Sequence, residues 1–187
     1  FIVHESLAAE FTARVSARVA ALTVGRGTDD GIEIGPLIDE HAVAKASSLV
    51  ADAVARGATV HTGGAVLRGT FFEPTVISGV PAGAEILRQE IFGPVLAISR
   101  FADEDEAVRL ANDTEYGLVS YVFTRDLARG HRMIDRLETG MMGLNVGVVS
   151  NAAAPFGGVR QSGLGREGGP EGIHEYLATK YTLLPND

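Results

Sequence analysis

The chain has 187 residues, 45% of them hydrophobic and 21% charged, a globular composition for one domain that buries roughly 70% of its unfolded surface. The net charge is −8, from 16 basic and 24 acidic residues, and the basic residues are scattered, which excludes a concentrated nucleic-acid surface. No run approaches the ~18–20 apolar residues that span a bilayer, and zero cysteines removes disulfides, thiolate catalysis and zinc-thiolate sites from these residues.

Residues 5–22 predict a helix, with Leu7, Phe11, Val15, Val19 and Leu22 on one face. The glycine-rich stretch 25–31 breaks it. Asp39 is the expected N-cap of a second helix reaching about Arg56, with Gly57 as its stop. Residues 58–62 read as a short strand, and 71–77 as another that Pro74 makes an edge or irregular strand. An apolar strand follows over 95–101, then a helix capped by Asp103 over 104–111. A buried strand is expected over 118–124, a helix capped by Asp126 to about Leu137, and a strand over 143–149. Strand, helix, strand, helix, strand is the order of an α/β fold with a parallel sheet and covering helices. A glycine-rich loop spans about 150–170, long enough to be a functional candidate on length alone. A short helix over 171–176 and a final strand over 178–184 complete the pattern. An open strand edge must be paired or blunted, and pairing with another subunit is one solution.

Several motifs are weighed and set aside. Gly163, Gly165 and Gly168 match the GxGxxG dinucleotide fingerprint. That fingerprint must follow a strand, open a helix and sit inside a βαβ unit, and too few residues remain to complete one. Asn112-Asp113-Thr114 is a glycosylation sequon by pattern only. The five histidines lie far apart, none four residues from another, so no metal site is expected. Arg166-Glu167 is read as a structural anchor for the glycine loop.

Glu90 is read differently because of its neighbours. Ile91 and Phe92 set two apolar groups beside it, and Gly93-Pro94 predicts a turn before a buried strand. A carboxylate held at the head of a strand can accept two hydrogen bonds, as from the vicinal hydroxyls of a ribose. Phe92 can then lie against a flat heteroaromatic ring.

The run Glu90-Ile91-Phe92-Gly93-Pro94-Val95 resembles the aldehyde dehydrogenase superfamily. So do Gly35-Pro36-Leu37-Ile38, Asn145, the run Ala154-Pro155-Phe156-Gly157-Gly158, and the run from Ser162 to Gly168, in order and spacing. The resemblance covers residues 1–184. It implies a parallel-sheet catalytic domain of aldehyde dehydrogenase type with a terminal oligomerisation strand. Residues 1–177 would form the C-terminal part of that domain and 178–187 the strand and tail, with the dinucleotide-binding domain outside this chain. It implies cofactor contacts from Glu90, at the nicotinamide ribose, and Phe92, along the nicotinamide. Lys45 matches a lysine that can touch the adenosine ribose.

The segment Gly147-Val148-Val149-Ser150-Asn151 and the ending around Glu175-Tyr176-Leu177 are most similar to the succinate-semialdehyde dehydrogenase branch. There the serine matching Ser150 donates to the substrate's distal carboxylate, and the aromatic matching Phe156 lines the substrate tunnel. The rival readings are a loop-capping serine and an ordinary core phenylalanine. The family reaction runs through a cysteine thiolate, hydride transfer to NAD or NADP, and hydrolysis of a thioester by glutamate-activated water. No catalytic residue of that scheme is present here. The chain also starts at Phe1, so a piece of a longer enzyme, beginning after the nucleophile and inactive alone, is expected. A small aldehyde substrate, a homo-oligomer and a cytoplasmic location go with that expectation, and neither a nucleic-acid nor a membrane partner does. The alternatives are an aldehyde dehydrogenase of another substrate, or a stand-alone, non-catalytic binding or assembly module of the same fold.

Overall fold

A computed structural model describes residues 1–185. In chain order the elements are β1 (Ile2–His4), α1 (Glu5–Ala20), α2 (Glu40–Ala55), β2 (Thr59–Thr62), β3 (Val66–Arg68), β4 (Phe71–Phe72), β5 (Thr75–Ser78), β6 (Val95–Phe101), α3 (Glu104–Asn112), β7 (Tyr116–Gly117), β8 (Val119–Val122), α4 (Leu127–Arg136), β9 (Met141–Leu144) and β10 (Val159–Arg160). Short 3-10 turns occupy Glu85–Leu87 and Glu171–Tyr176. The chain packs as two compact units, Phe1–Ala107 and the residues from Val108 onward.

The first unit is built on a four-stranded sheet in the order β1-β6-β5-β2. β6 runs parallel to both β1 and β5, and β2 is antiparallel to β5. Alternation along β5 and β6 sends Ile77, Val95 and Ala97 into one core and Val76 and Ile98 into another. α2 contributes Val43, Ala46, Leu49, Val50 and Ala53 to the first core. α1 contributes Val19, flanked by the half-buried Phe11 and Val15, to the second. The sheet is therefore covered by helix on both faces, and β5 is buried along its whole length. Each buried Val, Leu or Ile in these layers contributes roughly 1.5–3 kcal/mol of transfer free energy.

The helix ends follow the expected chemistry. Asp39 accepts from the Ala42 N–H at 2.7 Å, and Gly57, with φ 105°, follows the C-terminus of α2. Asp103 accepts from the Glu106 N–H at 2.8 Å while Glu106 accepts from Ala102 N–H at 2.8 Å, a reciprocal pair at the start of α3. Asp126 accepts from the Arg129 N–H at 3.1 Å.

Several expectations are corrected. Of the face expected on residues 5–22, Phe11, Val15, Val19 and Leu22 pack into the second core, but Leu7 is 58% exposed, and the buried positions of α1 include the smaller Ala8 and Thr12. The strand expected over 71–77 splits into β4 and β5, and β5 is interior, not an edge. Pro74 sits ahead of the ladder, where its missing N–H is not needed, and the ladder opens with Thr75 N–H donating to Pro94 O at 2.8 Å.

In the second unit β8 and β9 run parallel, joined through α4, and β7 pairs antiparallel with β10. Gly130 of α4 lies against Leu144 of β9, where an added Cβ would fall 2.9 Å from a Leu144 methyl. The α/β pattern with parallel strands expected over 95–149 is present: β6 runs parallel to its neighbours in the four-stranded sheet of the first unit, and β8 and β9 form a parallel pair in the second. β8 is shorter than expected and half-exposed, with Tyr121 at 43% and, just past its end, Phe123 at 70%, since a two-stranded ladder leaves both edges open. β9 ends at Leu144, not at Val149, because Asn145 takes a left-handed φ of 56° that no strand continues. Residues 178–184 form no strand. Their β-rich composition has no ladder partner among the described residues, and the rest of the expected tail, 186–187, lies outside them.

Candidate functional site

Residues 90–94 lie between the Glu85–Leu87 turn and β6, and their side chains alternate. Ile91 packs on the first core, and Gly93 lies against Leu37 and Ala46, 3.5 and 3.8 Å from where its Cβ would stand. Pro94 O is held by the Thr75 N–H. The residues that alternate with these anchors are uncovered: Glu90 is exposed and Phe92 is 77% exposed. Phe92 has φ 50°, a left-handed backbone that is an outlier for a bulky residue and costs about 1–3 kcal/mol. Glu90 makes no hydrogen bond or ion pair among the described residues. An uncovered aromatic face beside an uncommitted carboxylate, both on a seated loop, fits a flat ring joined to a diol. Lys45, half-buried, sits on α2 next to Ala46, the residue against which this loop is seated.

The neighbouring turn is tied to α2 by charge. Asp52 accepts from Arg56 Nε at 2.7 Å and from the Glu85 N–H at 2.9 Å. The Arg56 hydrogen bond first, then the Glu85 N–H, hold the Asp52 carboxyl below its usual range, and the same contact raises Arg56.

In the second unit, the loop over 150–170 is organised by three devices. Phe156 and Glu167 exchange main-chain hydrogen bonds, N–H to O, at 2.7 and 2.8 Å. Arg166 donates from Nη1 to Gly158 O and to Gly165 O, each at 2.7 Å. Arg160, at φ 57°, donates to Asn112 O at 3.0 Å and Thr114 O at 2.7 Å and pairs with Glu138. Arg166-Glu167 is thus the anchor that the sequence pointed to. Arg160 was not singled out, and its only advance signal is a charged residue inside a glycine-rich loop. GxGxxG is not a dinucleotide loop here: it follows the two-residue β10 and runs into a 3-10 turn.

Ser150 is exposed, and its hydroxyl makes no hydrogen bond among the described residues. The adjacent residue makes the loop cap: Asn151 Oδ1 accepts from the Ala153 N–H at 3.0 Å. Phe156 is 36% exposed, so it is not an ordinary core residue. Ser150 and Phe156 share this loop, as Glu90 and Phe92 share theirs. The sequon amide is used internally: Asn112 Nδ2 donates to Arg136 O at 2.8 Å and Oδ1 accepts from the Glu138 N–H at 3.0 Å. Among the described residues no three His, Asp or Glu side chains could hold a metal ion, and no helix is long and apolar enough to cross a membrane.

A family model described as "Aldehyde dehydrogenase family" matches residues 1–182. The chain belongs to the aldehyde dehydrogenase family. It is 52% identical over 183 residues to a succinate-semialdehyde dehydrogenase of Paenarthrobacter nicotinovorans, covering 97% of this chain and 41% of that enzyme. It is 48% identical to a glutarate-semialdehyde dehydrogenase of Pseudomonas aeruginosa, covering 97% of this chain and 38% of the relative. The crystal structure of succinate-semialdehyde dehydrogenase from Burkholderia pseudomallei superposes with a TM-score of 0.92 at 51% identity, over 94% of this chain and 37% of that one. The chain therefore spans about two fifths of the length of such aldehyde dehydrogenases.

Proposed function

We propose that these 187 residues contribute cofactor-binding and substrate-binding residues to an NAD- or NADP-dependent semialdehyde dehydrogenase that oxidises succinate semialdehyde to succinate. The observation that carries this reading is the outward pair Glu90 and Phe92 on a loop anchored from the other side, with Phe92 held in a strained backbone. Glu90 accepts from the two ribose hydroxyls, which orients the sugar and the ring attached to it. Phe92 covers one face of that ring and excludes water from it. A bound nicotinamide dinucleotide supplies the hydride acceptor.

On the substrate side, Ser150 offers a hydroxyl without an internal partner to the distal carboxylate of the aldehyde. Phe156, fixed by its main-chain exchange with Glu167, supplies an apolar wall. The thiolate that attacks the aldehyde comes from outside these residues, which contain no cysteine, so the chain alone has no dehydrogenase activity. Residues 178–184 are rich in β-formers, with Tyr181, Leu183 and Leu184 exposed, and suit pairing with a second subunit in a cytoplasmic homo-oligomer. Neither a nucleic acid nor a membrane belongs to this reading. A second reading, glutarate semialdehyde as substrate, is favoured by the similar identity of the Pseudomonas aeruginosa relative.

Steady-state kinetics of the complete enzyme test the proposal. Glu90→Gln is expected to raise KM for the dinucleotide by about tenfold or more, the loss of one charge-assisted hydrogen bond or more. Ser150→Ala is expected to raise KM for succinate semialdehyde and leave a neutral aldehyde unaffected. Unchanged dinucleotide KM in the first variant overturns the cofactor assignment, and unchanged succinate semialdehyde turnover in the second overturns the substrate assignment.

A further inference from the structure

The segment between α1 and α2 holds a group of atoms that the dehydrogenase reading does not use. Asp30-Gly31 is the only Asp-Gly pair in the chain, and there is no Asn-Gly. Both residues are exposed. The loop around them is closed at its base: Gly25 N–H donates to Ile34 O at 3.0 Å, and the N–H groups of Glu33 and Ile34 both donate to Thr23 O, at 3.1 and 3.0 Å. Thr23 Oγ1 also donates to Gly31 O at 2.5 Å. Against that ordered frame, the Gly31 N–H and the Asp30 carboxylate have no hydrogen-bond or ion-pair partner among the described residues. Gly31 has φ 76°, and nothing lies within 4 Å of the place its Cβ would take.

We propose that Asp30-Gly31 is a site of spontaneous isoaspartate formation in the folded protein. The chemistry needs an amide nitrogen that is not committed to a hydrogen bond, a carboxyl free to turn toward it, and space for a five-membered ring. In most folded segments the backbone N–H is bound and a side chain on the following residue blocks the ring. Here neither obstacle is present. The Gly31 nitrogen attacks Asp30 Cγ, the N–Cγ bond forms, and the carboxyl hydroxyl leaves with the amide proton as water. Water then opens the succinimide. Cleavage at the Cγ carbonyl restores aspartate, and cleavage at the α-carbonyl leaves the main chain running through Cγ, one methylene longer. No oxidant or cofactor enters, and the mass of the product equals that of the starting chain. The longer main chain moves the Gly31 carbonyl away from Thr23, while the Thr23–Ile34 base of the loop is untouched. A repair enzyme that methylates the newly formed α-carboxylate is the class of partner that would recognise the product.

The test compares the folded protein with the free peptide spanning residues 26–35, aged together in mildly acidic buffer made with heavy-oxygen water. Electron-transfer mass spectrometry distinguishes the two linkages and locates the label. The expected result is isoaspartate at residue 30, carrying heavy oxygen, formed in the folded protein within a few-fold of the peptide's rate and abolished by Asp30→Glu. A folded-protein rate more than an order of magnitude below the peptide's overturns the proposal, since the fold would then protect the bond. So does a higher yield at any other aspartate.

Discussion

Asn145 grips Thr124 with both ends of its side-chain amide: Oδ1 accepts from the Thr124 N–H at 2.9 Å, and Nδ2 donates to Thr124 O at 2.9 Å. The side chain thereby does what the next residue pair of the β8–β9 ladder would have done, directly after Asn145 N–H donates to Val122 O at 2.8 Å. Asparagine suits the position twice over, because its amide mimics a peptide unit and it tolerates the φ of 56°. The strand stops, the backbone turns, and the 150–170 loop departs from a fixed point.

Replacing Asn145 tests both contributions. Asn145→Gly keeps the left-handed backbone and loses the two hydrogen bonds, for an expected loss of about 1–3 kcal/mol. Asn145→Ala adds about 1–2 kcal/mol of left-handed strain. Asn145→Asp replaces the Nδ2 donor by an acceptor facing Thr124 O, and is expected to be no better than glycine. Thermal unfolding of the three variants should rank alanine lowest, and an alanine variant as stable as the glycine one would sink the backbone argument.

Phe92 should show a conflict between stability and binding. Its ring is 77% exposed, so little burial is lost when it is removed. Phe92→Gly relieves about 1–2 kcal/mol of left-handed strain and loses about 0.5–1 kcal/mol to glycine's unfolded-state entropy. The variant is expected to melt at the same or a higher temperature, while dinucleotide affinity of the complete enzyme falls. A clear drop in melting temperature would mean that the ring has a structural role.

Arg166 joins two carbonyls of the long loop from one nitrogen. Arg166→Ala is expected to destabilise by about 1.5–3 kcal/mol per charged hydrogen bond at most, and to expose the loop to cleavage. Limited proteolysis should then cut between residues 150 and 170 faster than in the parent, with Arg166→Lys intermediate. Equal cleavage rates would show that the Phe156–Glu167 exchange holds the loop without the arginine.

The Asp52–Arg56 contact predicts a pH dependence with a definite sign. The folded-state carboxyl sits below its ordinary value of 3.8, so the native state holds the proton less tightly than the unfolded state. The stabilisation is present above that ordinary value and is lost as pH falls through the depressed one. Asp52→Asn should therefore melt lower than the parent at neutral pH, and the two melting curves should converge in strong acid. The pair is solvent-exposed, so the gap is small. A gap that widens on acidification contradicts the assignment.

Local rules written in the sequence determined most of the helices. Asp39, Asp103 and Asp126 cap α2, α3 and α4, since a short acceptor beside unpaired N–H groups acts within one turn and needs no distant partner. The extent of β6 was equally legible, because a strand covered by helix on both faces opens on an apolar run, here Val95 to Ile98. The family was legible too, through motif order alone. Only the tertiary structure decided which strands find partners. Residues 178–184 have strand composition and no ladder, β5 turned out interior, and β9 stopped at Asn145. Strand pairing joins residues far apart in the chain, so a strand's own composition reports its fitness for a sheet and not the presence of an edge to join. The same reason hid Arg160 and the uncommitted amide of Gly31: what a side chain or an N–H meets across a loop is written nowhere in its immediate neighbours.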